Sequence, residues 1–240
     1  MNVYIVTGAS KGIGFELVQQ LRAKGHKAIG IARTIPEDAE DFIAADLSIT
    51  DGLEELLSSV IDEYRTIATS LTLMNNAGMV EPIGLIGDVK TEDIAGAIAL
   101  NLTAPMLLSN TFISQLKDFE GAKRIVNISS GAGRNAYEGW GTYCTTKAGL
   151  DHFSRVVALE QADEPFPVDI VAIAPGIIDT GMQETIRASK EEAFPLLDQF
   201  IGYKEQGLLS TAEQTAEKLI AFMEKEDWKA VGPIADIRNF

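Results

Sequence analysis

Cysteine is almost missing from this chain. Cys144 is the only one, which excludes an intrachain disulfide and a cysteine-rich metal site. A lone thiol fits a reducing cytoplasm, the expected location. Cys144 follows Tyr143, but neighbours on a helix point in different directions, so an inert structural part is expected for it. Histidine is scarce as well. His26 and His152 lie far apart in sequence and form no metal-ligand pattern, so no metal is expected. Basic residues are outnumbered, 20 Lys and Arg against 35 Asp and Glu, for a formal net charge of −15. Nucleic acid and anionic membranes call for a basic face, so neither is expected as a partner. No run of about 18 apolar residues marks a transmembrane helix, and the first residues read as a strand rather than a signal peptide. There is no linker, repeat or low-complexity stretch, so residues 1–240 are read as a single domain.

What is present is alternation. Hydrophobic content is 46% and charged content 23%, ordinary for a globular chain long enough to bury a substantial core. Strand-like runs span Asn2–Thr7, Lys27–Ala32, Asp41–Ala45, Leu71–Asn75, Arg124–Ser129, Val168–Ala174 and a short one near Ala230–Ile234. Helical stretches span Gly12–Lys24, Thr50–Tyr64, Thr91–Leu102, Pro105–Lys117, Gly141–Gln161 and Thr211–Lys225. This order predicts βαβ units and a doubly wound α/β fold, a parallel sheet of about seven strands with helices on both faces. Only Arg33 to Glu40, with Pro36 inside, joins the second and third strands, too short for a crossover helix.

The most informative stretch is Thr7-Gly8-Ala9-Ser10-Lys11-Gly12-Ile13-Gly14, set between the first strand and the first helix. A glycine-rich turn brings backbone N–H groups close to a phosphate, and the helix N-terminus favours its charge. Gly8, Gly12, Gly14 and the residues between them, Ser10, Lys11 and Ile13, are therefore candidate nucleotide contacts. No Gly-Lys-Ser/Thr is present, so a P-loop enzyme is not supported.

The Thr-Gly-x-x-x-Gly-x-Gly pattern resembles the short-chain dehydrogenase/reductase family, and five further segments extend the resemblance in order. Asn75-Asn76-Ala77-Gly78 looks like the segment after the fourth strand, Asn101 like the active-site asparagine, and Ser130, Tyr143 and Lys147 like the catalytic serine and Tyr-x-x-x-Lys pair. Pro175-Gly176 and Thr180 look like the segment that closes over the nicotinamide. The resemblance implies strand order 3-2-1-4-5-6-7 and dinucleotide contacts at Asn76, Ala77, Gly78, Pro175, Gly176, Ile178 and Thr180. It also implies a substrate-binding flap over residues 176–209. Ser130 to Lys147 and Pro175 to Gln183 look most like the benzil and sepiapterin reductase-like branch.

Hydride transfer to a ketone builds negative charge on oxygen, which needs a proton and a hydrogen-bond donor. Tyr143 can supply the proton, but a free phenol has a pKa of about 10. Lys147, four residues on, shares its helix face, and its ammonium is expected to depress that pKa. The resemblance adds that Lys147 holds the nicotinamide ribose, that Ser130 hydrogen-bonds the carbonyl, and that Asn101 positions a water. Tyr137 and Trp140 are either core packing or the walls of a pocket for flat carbonyl compounds.

At the end of the second strand an acid would take a ribose 2′-hydroxyl and an arginine a 2′-phosphate. Arg33 stands there, with Lys11 as a second cation, so NADP(H) is the expected cofactor. Asp46, with Leu47 beside it, resembles the residue that meets the adenine. The expected function is an NADPH-dependent carbonyl reductase of a small dicarbonyl or aryl ketone, benzil reductase-like and benzoin-forming. The alternatives are a ketoacyl-carrier-protein reductase and a non-catalytic NADP-sensing protein. By resemblance the helices Pro105–Lys117 and Gly141–Gln161 pair with symmetry mates in a homodimer or homotetramer.

Overall fold

A computed structural model describes residues 1–37, 39–224, 228 and 230–240. Its frame is one sheet in the order β3-β2-β1-β4-β5-β6-β7, every neighbouring pair parallel. The strands are β1 (Asn2–Thr7), β2 (Lys27–Ala32), β3 (Phe42–Ala44), β4 (Ser70–Asn75), β5 (Ala122–Ile128), β6 (Val168–Ala174) and β7 (Ile234–Asp236). β1, β4 and β6 read as near-continuous apolar runs because both faces are covered. On one face α2 (Leu53–Tyr64), α4 (Ala104–Gln115) and α5 (Gly141–Glu160) bury Leu57, Ile61, Leu108 and Phe112 against Ile5, Leu73 and Ile125. On the other, α1 (Gly12–Ala23) and α8 (Ala212–Met223) bury Leu17, Leu21, Leu219 and Phe222 against Val6, Met74 and Val126.

The chain reverses direction across the sheet between β1 and β4, and this topological switch leaves a crevice at the strand carboxyl ends. Between β2 and β3 the described residues form no helix, as the short connection requires. Two expectations need correction. The last strand begins at Ile234 rather than near Ala230, because Pro233 cannot donate to the ladder; its carbonyl instead accepts from Ala172 N–H at 2.8 Å and opens the pairing with β6. The helix expected from Thr50 begins at Leu53, since Asp51 and Gly52 form a turn. The expected end of the last helix, Lys225, lies outside the described residues.

The two helices expected over Thr91–Leu102 and Pro105–Lys117 are one continuous run. A five-residue π turn, Ala99–Thr103, joins α3 (Thr91–Ile98) to α4. The joined helix Thr91–Gln115 has 25 residues, and an 18-residue stretch within it has a mean hydropathy of 1.3. By length and composition alone it could cross a membrane, contrary to the sequence expectation. It packs instead between α2 and α5, with Leu108 and Phe112 in the core.

Candidate active site

The glycine loop is built by close packing. Gly8 takes a φ of +66°, and a methyl added there would come within 2.7 Å of Ala77 Cα. A side chain on Gly14 would collide with the Gly8 carbonyl and the Asn76 amide. Asn76 fastens the two loops, its Nδ2 donating to Thr7 O at 2.9 Å and to Gly8 O at 3.3 Å. Thr7 Oγ1 accepts from Asn76 N and Ala77 N at 3.0 Å each. The first helix then starts with no side-chain cap and no acidic residue in its first turn. Its leading N–H groups and dipole thus suit an anionic group. Thr180 reaches the same place: a methyl on Gly12 would lie 3.5 Å from Thr180 Cγ2. Its neighbour Gly181 approaches Lys11, whose Nζ lies 3.8 Å from the equivalent point. These residues fit the diphosphate of a dinucleotide.

Arg33, just after β2, and Lys11 are both exposed. Asp46 accepts from Ser48 N at 3.0 Å and from Ser48 Oγ at 2.7 Å. These bonds, with the Arg33 charge in support, hold its carboxyl below the usual range. Leu47 and Ile178 are buried, Leu47 in the core, so their side chains are spent on packing.

The catalytic candidates converge where β4 and β5 end. Asn101 lies in the π turn, fully buried, its Oδ1 accepting from Met79 N and its Nδ2 donating to Met79 O, both at 2.8 Å. Its side chain is therefore committed to the loop after Gly78. Gly78 closes the gap between Asn101 and Lys147: a methyl there would sit 3.3 Å from Asn101 Oδ1 and 3.7 Å from Lys147 Nζ. Lys147 Nζ donates to Ile128 O at 2.8 Å and lies 5.8 Å from the centre of the Tyr143 ring. Burial pulls its pKa from 10.5 to about 8. Ser130 Oγ accepts from Ala132 N at 3.1 Å, and its hydroxyl is close enough to the Tyr143 phenol to lower that group's pKa.

One electrostatic expectation is reversed. Among the protein's own groups, burial pushes the Tyr143 phenol up, and the Ser130 hydrogen bond offsets this only in part. Lys147 donates to the Ile128 carbonyl rather than to the phenol oxygen, and burial outweighs what lowers the tyrosine.

Trp140 is buried, stacked on Phe194 with ring centres 4.7 Å apart and edge-on to Tyr143 at 5.4 Å. Tyr137 is half-buried and edge-on to Trp140. The stretch after β6 supplies the partners: α6 (Gly181–Arg187), Phe194, and Phe200 and Tyr203 of α7 (Leu197–Glu205). Sequence reading missed this aromatic cluster, whose only signal was the run of Phe194, Phe200 and Tyr203. Trp140 Nε1 is buried with no hydrogen-bond partner among the described residues. Beside the cluster a cavity of about 220 Å³ opens between Ile83–Val89 and Lys190–Ala193. Gly176 lies against the Arg238 side chain, and Pro175 beside it is half-buried.

The short chain dehydrogenase family model matches residues 2–191. The chain belongs to this family. It is 39% identical over 248 residues to a benzil reductase ((S)-benzoin forming) of Bacillus subtilis (strain 168), covering 100% of both chains. It is 30% identical to the sepiapterin reductase of Mus musculus, covering 95% of this chain and 94% of the other. A solved short-chain dehydrogenase/reductase from Saccharomyces cerevisiae superimposes with a TM-score of 0.84 at 26% identity, covering 99% of this chain and 96% of that one. The resemblance read from the motifs is borne out, down to the branch. The chain is an oxidoreductase of ketone and alcohol groups, with a nicotinamide dinucleotide as cofactor.

Proposed function

We propose that the protein is an NADPH-dependent carbonyl reductase that converts small dicarbonyls or aryl ketones, benzil among them, to the hydroxyketone or alcohol. The observation that carries this reading is the convergence of Ser130, Tyr143 and Lys147 beside the glycine loop, under an aromatic cover. The bound dinucleotide supplies a hydride to the carbonyl carbon. Ser130 Oγ and the Tyr143 hydroxyl hold the carbonyl oxygen, and Tyr143 gives it a proton as the charge develops. Lys147, cationic below about pH 8, grips the ribose and helps to restore the phenolic proton. Asn101, whose side chain is bonded to Met79, positions a water that feeds protons through Lys147.

Arg33, with Lys11 as second cation, takes the 2′-phosphate, while Asp46 faces the adenine. Residues 176–209 act as the substrate flap. The chain 33% identical over 199 residues to a 3-oxoacyl-[acyl-carrier-protein] reductase of Synechocystis invites a second substrate class. A net charge of −15 opposes docking of acidic carrier proteins. The test is NADPH oxidation with benzil: benzoin as product supports the reading, and turnover confined to acyl thioesters rejects it.

A further inference from the structure

Helix α5 carries three polar side chains in one row, Tyr143, Lys147 and Asp151, four residues apart and all buried. The first two carry the roles given above; Asp151 touches neither the carbonyl nor the dinucleotide in that scheme. A buried carboxylate is costly unless paired. Ser129 Oγ donates to Asp151 Oδ1, and Arg134 Nε donates to Oδ2 at 3.2 Å. Arg134 is fixed in turn, its Nη2 donating to Ala235 O of β7 at 2.8 Å. Consecutive residues at the end of β5 are thus gripped by consecutive turns of α5. Lys147 holds Ile128, Asp151 holds Ser129, and Ser130 is the next residue. The turn that follows is seated on the same helix face: a methyl on Gly133 would come within 3.0 Å of Asp151 Oδ2.

We propose that Asp151 is a positioning residue of this site, holding Ser130 and Lys147 in register and setting a fixed negative charge one helical turn from the lysine. The proposal rests on the roles given above to Ser130, Tyr143 and Lys147. Burial drags Lys147 down to about 8, and the Asp151 carboxylate is the charge that resists the fall. The other titratable groups are few. Tyr143 and Cys144 share the helix, with His152, Arg155 and Glu160 of α5 exposed to solvent; Arg134 comes from the turn after β5, and Asp236 with its partner Arg238 comes from β7 and the tail. β6 contributes Asp169 at its opposite end, α3 contributes Glu92 and Asp93 in its first turn, and α4 has no charged side chain.

The signs follow. Asp151 favours the lysine cation, so losing its charge makes Lys147 release its proton at lower pH. Carbonyl reduction needs the protonated site, so its alkaline limb moves toward acid. Arg134 neutralises Asp151, so losing Arg134 moves both in the opposite direction.

The test is an NMR titration of the protein carrying 13C-labelled lysine, with the Lys147 signal assigned through Lys147→Arg, beside the pH profile of kcat/KM. In Asp151→Asn the Lys147 signal titrates at lower pH than in the parent; in Arg134→Gln it titrates at higher pH. Each unit of displacement changes the ratio of kcat/KM below and above the limb about tenfold. An unmoved Lys147 signal, with activity lowered equally at every pH, overturns the proposal. Should Asp151→Asn fail to fold, Arg134→Gln decides alone, and an unmoved signal there overturns it. The titration needs no turnover. Opposite displacements in a protein that cannot reduce benzil would reject the proposed function while supporting the coupling of Asp151 to Lys147.

Discussion

At Tyr143 the proposed proton donor is a single oxygen on an otherwise inert ring. Tyr143→Phe keeps the ring that packs edge-on against Trp140, so the fold should persist while kcat falls on the order of 10²- to 10⁴-fold. Dinucleotide binding, read by fluorescence titration, should survive; turnover near that of the parent would remove Tyr143 from the mechanism. Arg33 gives a second test. It is exposed, so its charged hydrogen bond should lie near the low end of about 1.5–3 kcal/mol. Arg33→Ala should then weaken NADPH binding about tenfold and leave NADH nearly unchanged, which calorimetry on both cofactors would check. Lys147 also has a thermodynamic signature. It sheds its proton near pH 8 in the fold but near 10.5 when unfolded. Between those values the unfolded chain binds more protons, so this lysine makes stability rise with pH. Chemical denaturation from pH 8 to 10 should show that rise in the parent and its loss in Lys147→Met.

At the scale of elements, what the sequence made legible had local causes. β1 and β2 are apolar runs ended by polar residues and β6 is one set between Pro167 and Pro175, and their observed bounds match the expected ones. The pairing of Tyr143 with Lys147 was legible because four residues on a helix define one face, and the same rule carried one turn further reaches Asp151. The π turn was not legible. It widens the helix by one residue per turn, and hydrophobic periodicity does not record where that happens. Pro105 signalled only that something changes near Asn101. The cover over the site was hidden for another reason. α6 and α7 are too short to show a helical period, and Trp140 meets Phe194 only through tertiary packing. Phe194 is fully buried, yet it belongs to the cover rather than to either sheet core. Phe194→Ala should therefore raise KM for benzil more than it lowers kcat and speed proteolysis within residues 176–209. The global denaturation midpoint should hardly move. A large drop in that midpoint would place Phe194 in the main core instead.

For the whole molecule, the surface is acidic, yet the outer faces of α4 and α5 leave Met106, Leu107, Val156 and Leu159 exposed. Exposed apolar side chains on two neighbouring helices are what a shared interface would cover. A homodimer or homotetramer joined across these helices is the expected assembly. Light scattering should report it at micromolar concentration, and Leu159→Glu should shift it toward monomer. A monomeric parent protein would defeat the expectation.

The stacking of Trp140 on Phe194 also makes the molecule its own optical instrument. The chain has two tryptophans, and the other, Trp228, lies across the sheet between Phe222 and the Arg124 guanidinium. In Trp228→Phe every tryptophan photon comes from the underside of the cover. Its emission maximum and quenching by acrylamide would then report, in real time and without a label, each opening of the site as ketones enter and alcohols leave.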